Sequence, residues 1–182
     1  MTKGAQDPVV LAVHPTSKGF GWIVFRGSGT PIDWGLASAK SRRPARLEAR
    51  FRRILERHEP ALLVLEAFED TSRVDRIKAF CREIRHLAEC RGTKVCVLSA
   101  YTVQEHFARS GGTTRYEIAR AIANHLDALT HRLPPKRRAW MSQDPRRSLF
   151  DAAALAITYF AASARGRTNS RNSPPAPSDS KR

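Results

Sequence analysis

The chain has 182 residues, 41% apolar and 27% charged, which suits one folded domain with an ordinary core and argues against wholesale disorder. Its 32 lysines and arginines against 17 aspartates and glutamates leave a net charge of +15, a balance that disfavours small cationic substrates at a bare surface. Nucleic acid is the natural first candidate for a partner, because each phosphate contact releases counterions. A solvated basic surface or a ribosome-like accessory role has the same charge signature.

Residues 9–13, Val-Val-Leu-Ala-Val, form the continuous apolar run of a strand covered on both faces, and residues 14–19 read as a turn. Residues 20–25 predict a second strand, residues 26–29 a hairpin connection, and residues 32–36 a third antiparallel strand. The period then changes from two to nearly four. Leu47, Phe51, Ile54 and Leu55 mark one face of a helix over about 43–57, which Pro60 ends. Residues 61–65 are a fourth strand finishing at Glu66. Val74, Ile77, Cys81, Ile84 and Ala88 mark a second helix closed by Gly92, and residues 95–98 a fifth strand. Strand, helix, strand, helix, strand is the rhythm of a sheet whose later strands run parallel.

The rest is mostly helical. Residues 101–108 form a short helix broken by Ser110-Gly111-Gly112, and Thr114-Arg115-Tyr116-Glu117 is a capping box opening the next. The basic, proline-containing segment 131–147 is a loop. An alanine-rich helix runs from about Ser148 to Ser163, and residues 164–182 form a disordered basic Pro/Ser-rich tail. The expected organisation is therefore an N-terminal extension over 1–7, one α/β domain over 8–163, and that tail. No apolar run of 18 residues and no basic-then-hydrophobic start is present, so neither a membrane span nor a signal peptide is expected. Cys81, Cys90 and Cys96 lack metal or disulfide spacing and read as buried thiols of a cytoplasmic protein.

Functional residues of open α/β sheets gather at the carboxyl ends of central strands. His14 and Glu66 are the polar residues that end the two most apolar strands, and Asp151 stands in the first turn of the last helix. One histidine and two carboxylates could hold a divalent metal beside a phosphodiester, orienting water and stabilising charge. Each also has a simpler reading. Ser148-x-x-Asp151 is a box-like helix start, and His14 before Pro15 is a turn residue. Glu66 is harder to dismiss, since a carboxylate directly after five apolar residues is costly unless exposed or used. Glu69 and Asp70 make its loop acidic.

Backbone phosphates would be met by Lys136, Arg137 and Arg138 with Arg146 and Arg147, by Lys18, by Arg109 and Arg115 around the glycine turn, and by Arg73 and Arg76 near Glu66. Trp22 belongs to the core, whereas Trp140 and Tyr101 either pack there or stack on a splayed base.

Four segments carry a family likeness. Residues 11–22 (LAVHPTSKGFGW), 61–68 (ALLVLEAF), 101–106 (YTVQEH) with Gly111-Gly112, and 151–159 (DAAALAITY) occur in one order. Over roughly residues 8–163 the chain resembles the RuvC-type Holliday-junction resolvases of the ribonuclease H-like superfamily. The resemblance implies an α/β domain with a mixed five-stranded sheet flanked by helices. It also implies a homodimer, and metal-dependent hydrolysis of branched or structured DNA by four carboxylates and two magnesium ions. Glu66 and Asp151 match two of the four. His14 stands where the first aspartate is expected and Ser148 where the third is expected. The expected catalytic residues are thus His14, Glu66 and Asp151, with Asp144 as a further metal ligand if its loop folds back, and Mg2+ or Mn2+ as the cofactor. The alternative is a weakly active or inactive nucleic-acid-binding protein that kept the fold.

Overall fold

The computed structural model describes residues 7–38, 44–67, 75–138 and 140–171. A meander of β1 (Val9–Thr16), β2 (Gly19–Arg26) and β3 (Thr30–Ser38) comes first. It is followed by α1 (Pro44–His58), β4 (Leu62–Ala67), α2 (Asp75–Glu89) and β5 (Lys94–Ser99). The chain then enters α3 (Ala100–Ala108), α4 (Arg115–His125), a 3-10 helix (Asp127–Arg132) and α5 (Arg147–Arg171). The strands lie in the order β3-β2-β1-β4-β5; β1 is antiparallel to β2 and parallel to β4, and β4 is parallel to β5. This is the mixed five-stranded sheet the sequence predicts.

The apolar strands bury both faces, and alternation divides their side chains between two cores. Val10, Ala12, Ile23, Phe25 and Val64 point to one side, where Ile122 of α4 and Leu149, Phe150 and the alanines of α5 cover them. Leu11, Val13, Phe20, Val24, Leu63 and Leu65 point to the other, against Phe51, Ile54 and Leu55 of α1 and Ile84 and Ala88 of α2. Burying one such Leu, Ile or Phe side chain contributes about 1.5–3 kcal/mol. The two covers therefore fix which way every strand residue faces. Trp22 is buried in the second core, as expected.

Close packing of α5 is permitted by one glycine. A Cβ on Gly21 would come within 2.2 Å of the Ser148 backbone, so any side chain there would push the start of α5 off β2. Gly21 pairs with His14 across the β1–β2 ladder. The beginning of α5 is thereby held over the part of β1 that carries His14.

Three expectations need correction. β1 does not stop at Val13 but continues through His14 to Thr16, so His14 is a strand residue and not a turn residue. Pairing with β4 reaches Val13, whereas pairing with β2 runs on to Thr16. Pro15, lacking an N–H, therefore falls where β1 has a single neighbour. α5 runs to Arg171, beyond the expected end near Ser163; residues 172–182 of the expected tail lie outside the described residues. Cys81 and Cys96 are half-buried but Cys90 is exposed, near the end of α2. No described helix is long and apolar enough to cross a membrane.

Candidate functional site

Strand alternation and register build the site before any helix is considered. Val10 and Ala12 face α5, so His14 continues the same face; Leu62 and Val64 do likewise, and so does Glu66. The parallel register runs from Val10↔Leu62 to Val13↔Leu65, and its next step sets His14 beside Glu66. α5 supplies the third group. Asp151, Ala154 and Leu155, spaced three and four apart, line the same cleft of about 140 Å3.

His14 Nδ1 lies 2.7 Å from Glu66 Oε2, and His14 Nε2 lies 3.5 Å from Asp151 Oδ2. The side chains are 13%, 13% and 25% exposed respectively. The imidazole stands between the two carboxylates with one nitrogen turned to each. Burial pushes the Asp151 carboxyl up from its ordinary range; His14, Arg115 and Arg147 oppose that shift and Glu66 adds to it. On the other side of β4, burial pushes the Cys81 thiol up to about 12, with the Glu66 charge adding, so Cys81 stays an unreactive thiol.

These residues fit a magnesium pair poorly. Magnesium demands hard oxygen ligands in near-octahedral array, and two ions bring four positive charges. The cleft offers two carboxylates, and the imidazole between them has both nitrogens already directed at oxygen. Ser148, one helical turn before Asp151, is buried, and its Oγ donates to the Pro145 carbonyl at 2.9 Å. Among the described residues no group of three or more His, Cys, Asp or Glu side chains is arranged to hold a metal ion.

Asp144 is not brought to the other three. Its oxygens are taken by Arg146, with Nε–Oδ1 at 3.0 Å, Nη2–Oδ2 at 2.6 Å and the Arg146 backbone N–H on Oδ1 at 2.9 Å. The side-chain hydrogen bonds from Arg146 hold this carboxyl below its ordinary range. The Asp-Pro step at the mouth of α5 bends the chain so that Asp144 faces Arg146 and not the cleft. Glu69, Asp70 and Arg73 lie outside the described residues.

The cations differ in their partners, and Arg137 Nε donates to the Met141 carbonyl at 2.8 Å. Arg109 meets Glu105 at 2.7 Å, and Arg146 is engaged as above. Arg115 lines the cleft itself, while Lys136, Arg137 and Arg147 join it around a neighbouring pocket. Lys18 is exposed in the β1–β2 turn and Arg76 on the first turn of α2. Trp140 and Tyr101 are 79% and 73% exposed, which removes them from the core; Arg138 lies over the Trp140 ring at 5.6 Å. Gln104 and Thr113 also line the cleft; Gln104 lies within the 101–106 segment of the family likeness, although neither is among the site residues expected from sequence. A further signal for Gln104 is positional, since α3 starts directly at the carboxyl end of β5, the edge where such sites form.

No protein-family model and no curated protein matches the chain. Solved structures do. Over 87% of this chain and 96% of the other, it is similar to the RuvC structure of Thermus thermophilus, with a TM-score of 0.64 and 19% identity. The yeast mitochondrial Holliday junction resolvase Ydc2 aligns over 90% of this chain and 82% of its own, with a TM-score of 0.60 and 12% identity. The Fowlpox virus resolvase, solved with its substrate Holliday junction DNA, aligns over 84% and 99% with a TM-score of 0.53 and 16% identity. With the strand order, the two helical covers and the placement of α5, these likenesses establish that the chain has the RuvC-like form of the ribonuclease H-like fold.

Proposed function

We propose that this protein binds branched or structured DNA through the cationic surface around its carboxylate cleft and hydrolyses it weakly or not at all. One observation carries the reading: the His14 ring stands between Glu66 and Asp151, with one nitrogen 2.7 Å from the first carboxylate and the other 3.5 Å from the second. An imidazole ring held between the two carboxylates supplies no open coordination position for an attacking water. Arg115 beside the cleft and the 134–138 segment supply phosphate attraction that does not depend on a metal. The structural likeness to resolvases solved with junction DNA supports a junction, or another branched form, over plain duplex. A homodimer would present two such clefts to the arms of one junction.

The test incubates the full chain with four-way junction, flap and linear DNA, with magnesium, with manganese and with chelator. Junction binding that persists in chelator, with no product beyond that of a Glu66→Ala control, is the expected result. Metal-dependent cleavage by the wild type that Glu66→Ala abolishes would overturn the reading in favour of an active nuclease.

A further inference from the structure

α4 starts on a complete capping box. Thr114 Oγ1 accepts the Glu117 N–H at 3.2 Å, and Glu117 Oε2 accepts the Thr113 and Thr114 N–H groups at 3.0 and 2.8 Å. These bonds hold the Glu117 carboxyl down at about 2. The first residue of α4 is therefore pinned, and it is Arg115. Opposite it, the chain leaves the 3-10 helix through Pro134-Pro135, two residues that stiffen the path to Lys136 and Arg137. The start of α5 closes the third side with Arg147.

Between these elements is a pocket of about 250 Å3 whose wall carries Arg115, Lys136, Arg137 and Arg147. The single carboxylate in that wall is Asp144, and Arg146 already occupies both of its oxygens. Neither Arg115 nor Arg147 reaches a carboxylate within 4 Å among the described residues. Arg147 is half-buried; burial holds its guanidinium below the usual range, Asp151 opposes that shift, and the nearby charges of Arg115 and Arg137 reinforce it. Cations gathered on rigid supports, partly desolvated and lacking an anion, repel one another. Elsewhere on the chain, exposed arginines such as Arg85, Arg91 and Arg109 are matched to glutamates. Around this pocket Arg115 and Arg147 stand together without such a match.

We propose that the pocket seats one phosphate of a nucleic-acid backbone, gripped by Arg115, Arg137 and Arg147 with Lys136 at the rim. Planar guanidinium forks directed into a concave wall suit the tetrahedral oxygens of a phosphate group. The inference rests on the DNA-binding reading and sharpens it. Because Arg115 also lines the cleft, the seated phosphate anchors the strand directly beside His14.

Two measurements on the full chain test it. In the first, inorganic phosphate is titrated into arginine-labelled protein and the guanidinium Nε–H signals are followed, with chloride at matched ionic strength as the control. The expected result is that Arg115, Arg137 and Arg147 shift together along one saturable curve, which Arg137→Gln weakens about tenfold or more, the scale of a missing charge-assisted hydrogen bond. Linear shifts spread over all arginines would overturn the site. In the second, four-way junction is titrated into wild type and Arg137→Gln; Arg137 is an exposed loop residue, so a matching thermal melt verifies an intact fold. A decrease in junction affinity of about tenfold is expected. Unchanged affinity overturns the pocket while leaving DNA binding in place. Saturable phosphate binding by a wild type that takes up no DNA overturns the assignment to a nucleic-acid backbone.

Discussion

At the scale of single residues, the site depends on what surrounds Asp151. Its side chain is three-quarters shielded from water, and burial is the largest influence on its carboxyl, pushing it up despite His14, Arg115 and Arg147 nearby. An aspartate whose folded value lies above its unfolded one binds more protons in the native state across that interval. Stability therefore falls as pH rises through the interval, and the deficit persists at neutral pH. Asp151→Asn keeps the shape and removes the charge. Its thermal midpoint should equal or exceed that of wild type at pH 7, and the two should converge below about pH 4, the ordinary aspartate range. A lower midpoint for the variant at pH 7 would mean that the attraction between His14 and Asp151 outweighs the cost of burying the carboxylate. The role of Asp151 would then be chiefly structural.

At the scale of elements, everything at the site is delivered by α5 lying hard against β2. The alanines at 152, 153, 154 and 156 are small enough for the helix to approach the sheet, and Gly21 removes the last obstacle beneath Ser148. Gly21→Ala places a methyl 2.2 Å from the Ser148 backbone, where no flexible side chain can yield. Overpacking of this kind costs about 1–3 kcal/mol, which lowers the midpoint of a chain this size by roughly 3–10 °C. The helix start is the part that must move, so chemical shifts of His14, Ser148 and Asp151 should change while those of α1 and α2 do not. A variant as stable as wild type, with an unmoved α5, would show that the close approach is not what seats the helix. Much of this level is legible in sequence: the 2-period and 3.6-period runs give all five strands, the α helices and the faces they bury. Their ends are less so. β1 extends through Pro15 only because a second strand pairs there after β4 has ended, a long-range fact that local pattern does not carry.

At the scale of the whole molecule, the question is whether a charge of +15 acts as a diffuse field or through a particular face. His14, Glu66 and Asp151 can be found from sequence because strand ends and a helix start converge in this topology. Asp144 cannot be placed that way, because its pairing with Arg146 depends on the bend at Pro145. Nor can the fate of each arginine be read from its neighbours in the chain. The run 136–138 divides in three dimensions, Arg138 covering Trp140 while Lys136 and Arg137 line a pocket with residues from two other helices. Composition counts all these charges alike; the fold does not. Arg115, Arg137 and Arg147 lie together on the α4–α5 side, whereas α1 on the opposite face of the sheet carries exposed Arg50, Arg52 and Arg53. Neutralising Arg115, Arg137 and Arg147 to Gln removes three charges, and so does neutralising Arg50, Arg52 and Arg53. The slope of log affinity for DNA against log salt falls by about 0.9 for each phosphate that the protein ceases to neutralise. The first triple variant should therefore show a shallower slope and weaker binding at every salt concentration. The second should keep the wild-type slope within error. Equal flattening by the two would mean that the protein binds DNA as a featureless polycation, and the cleft and its arginine pocket would then have no part in holding it.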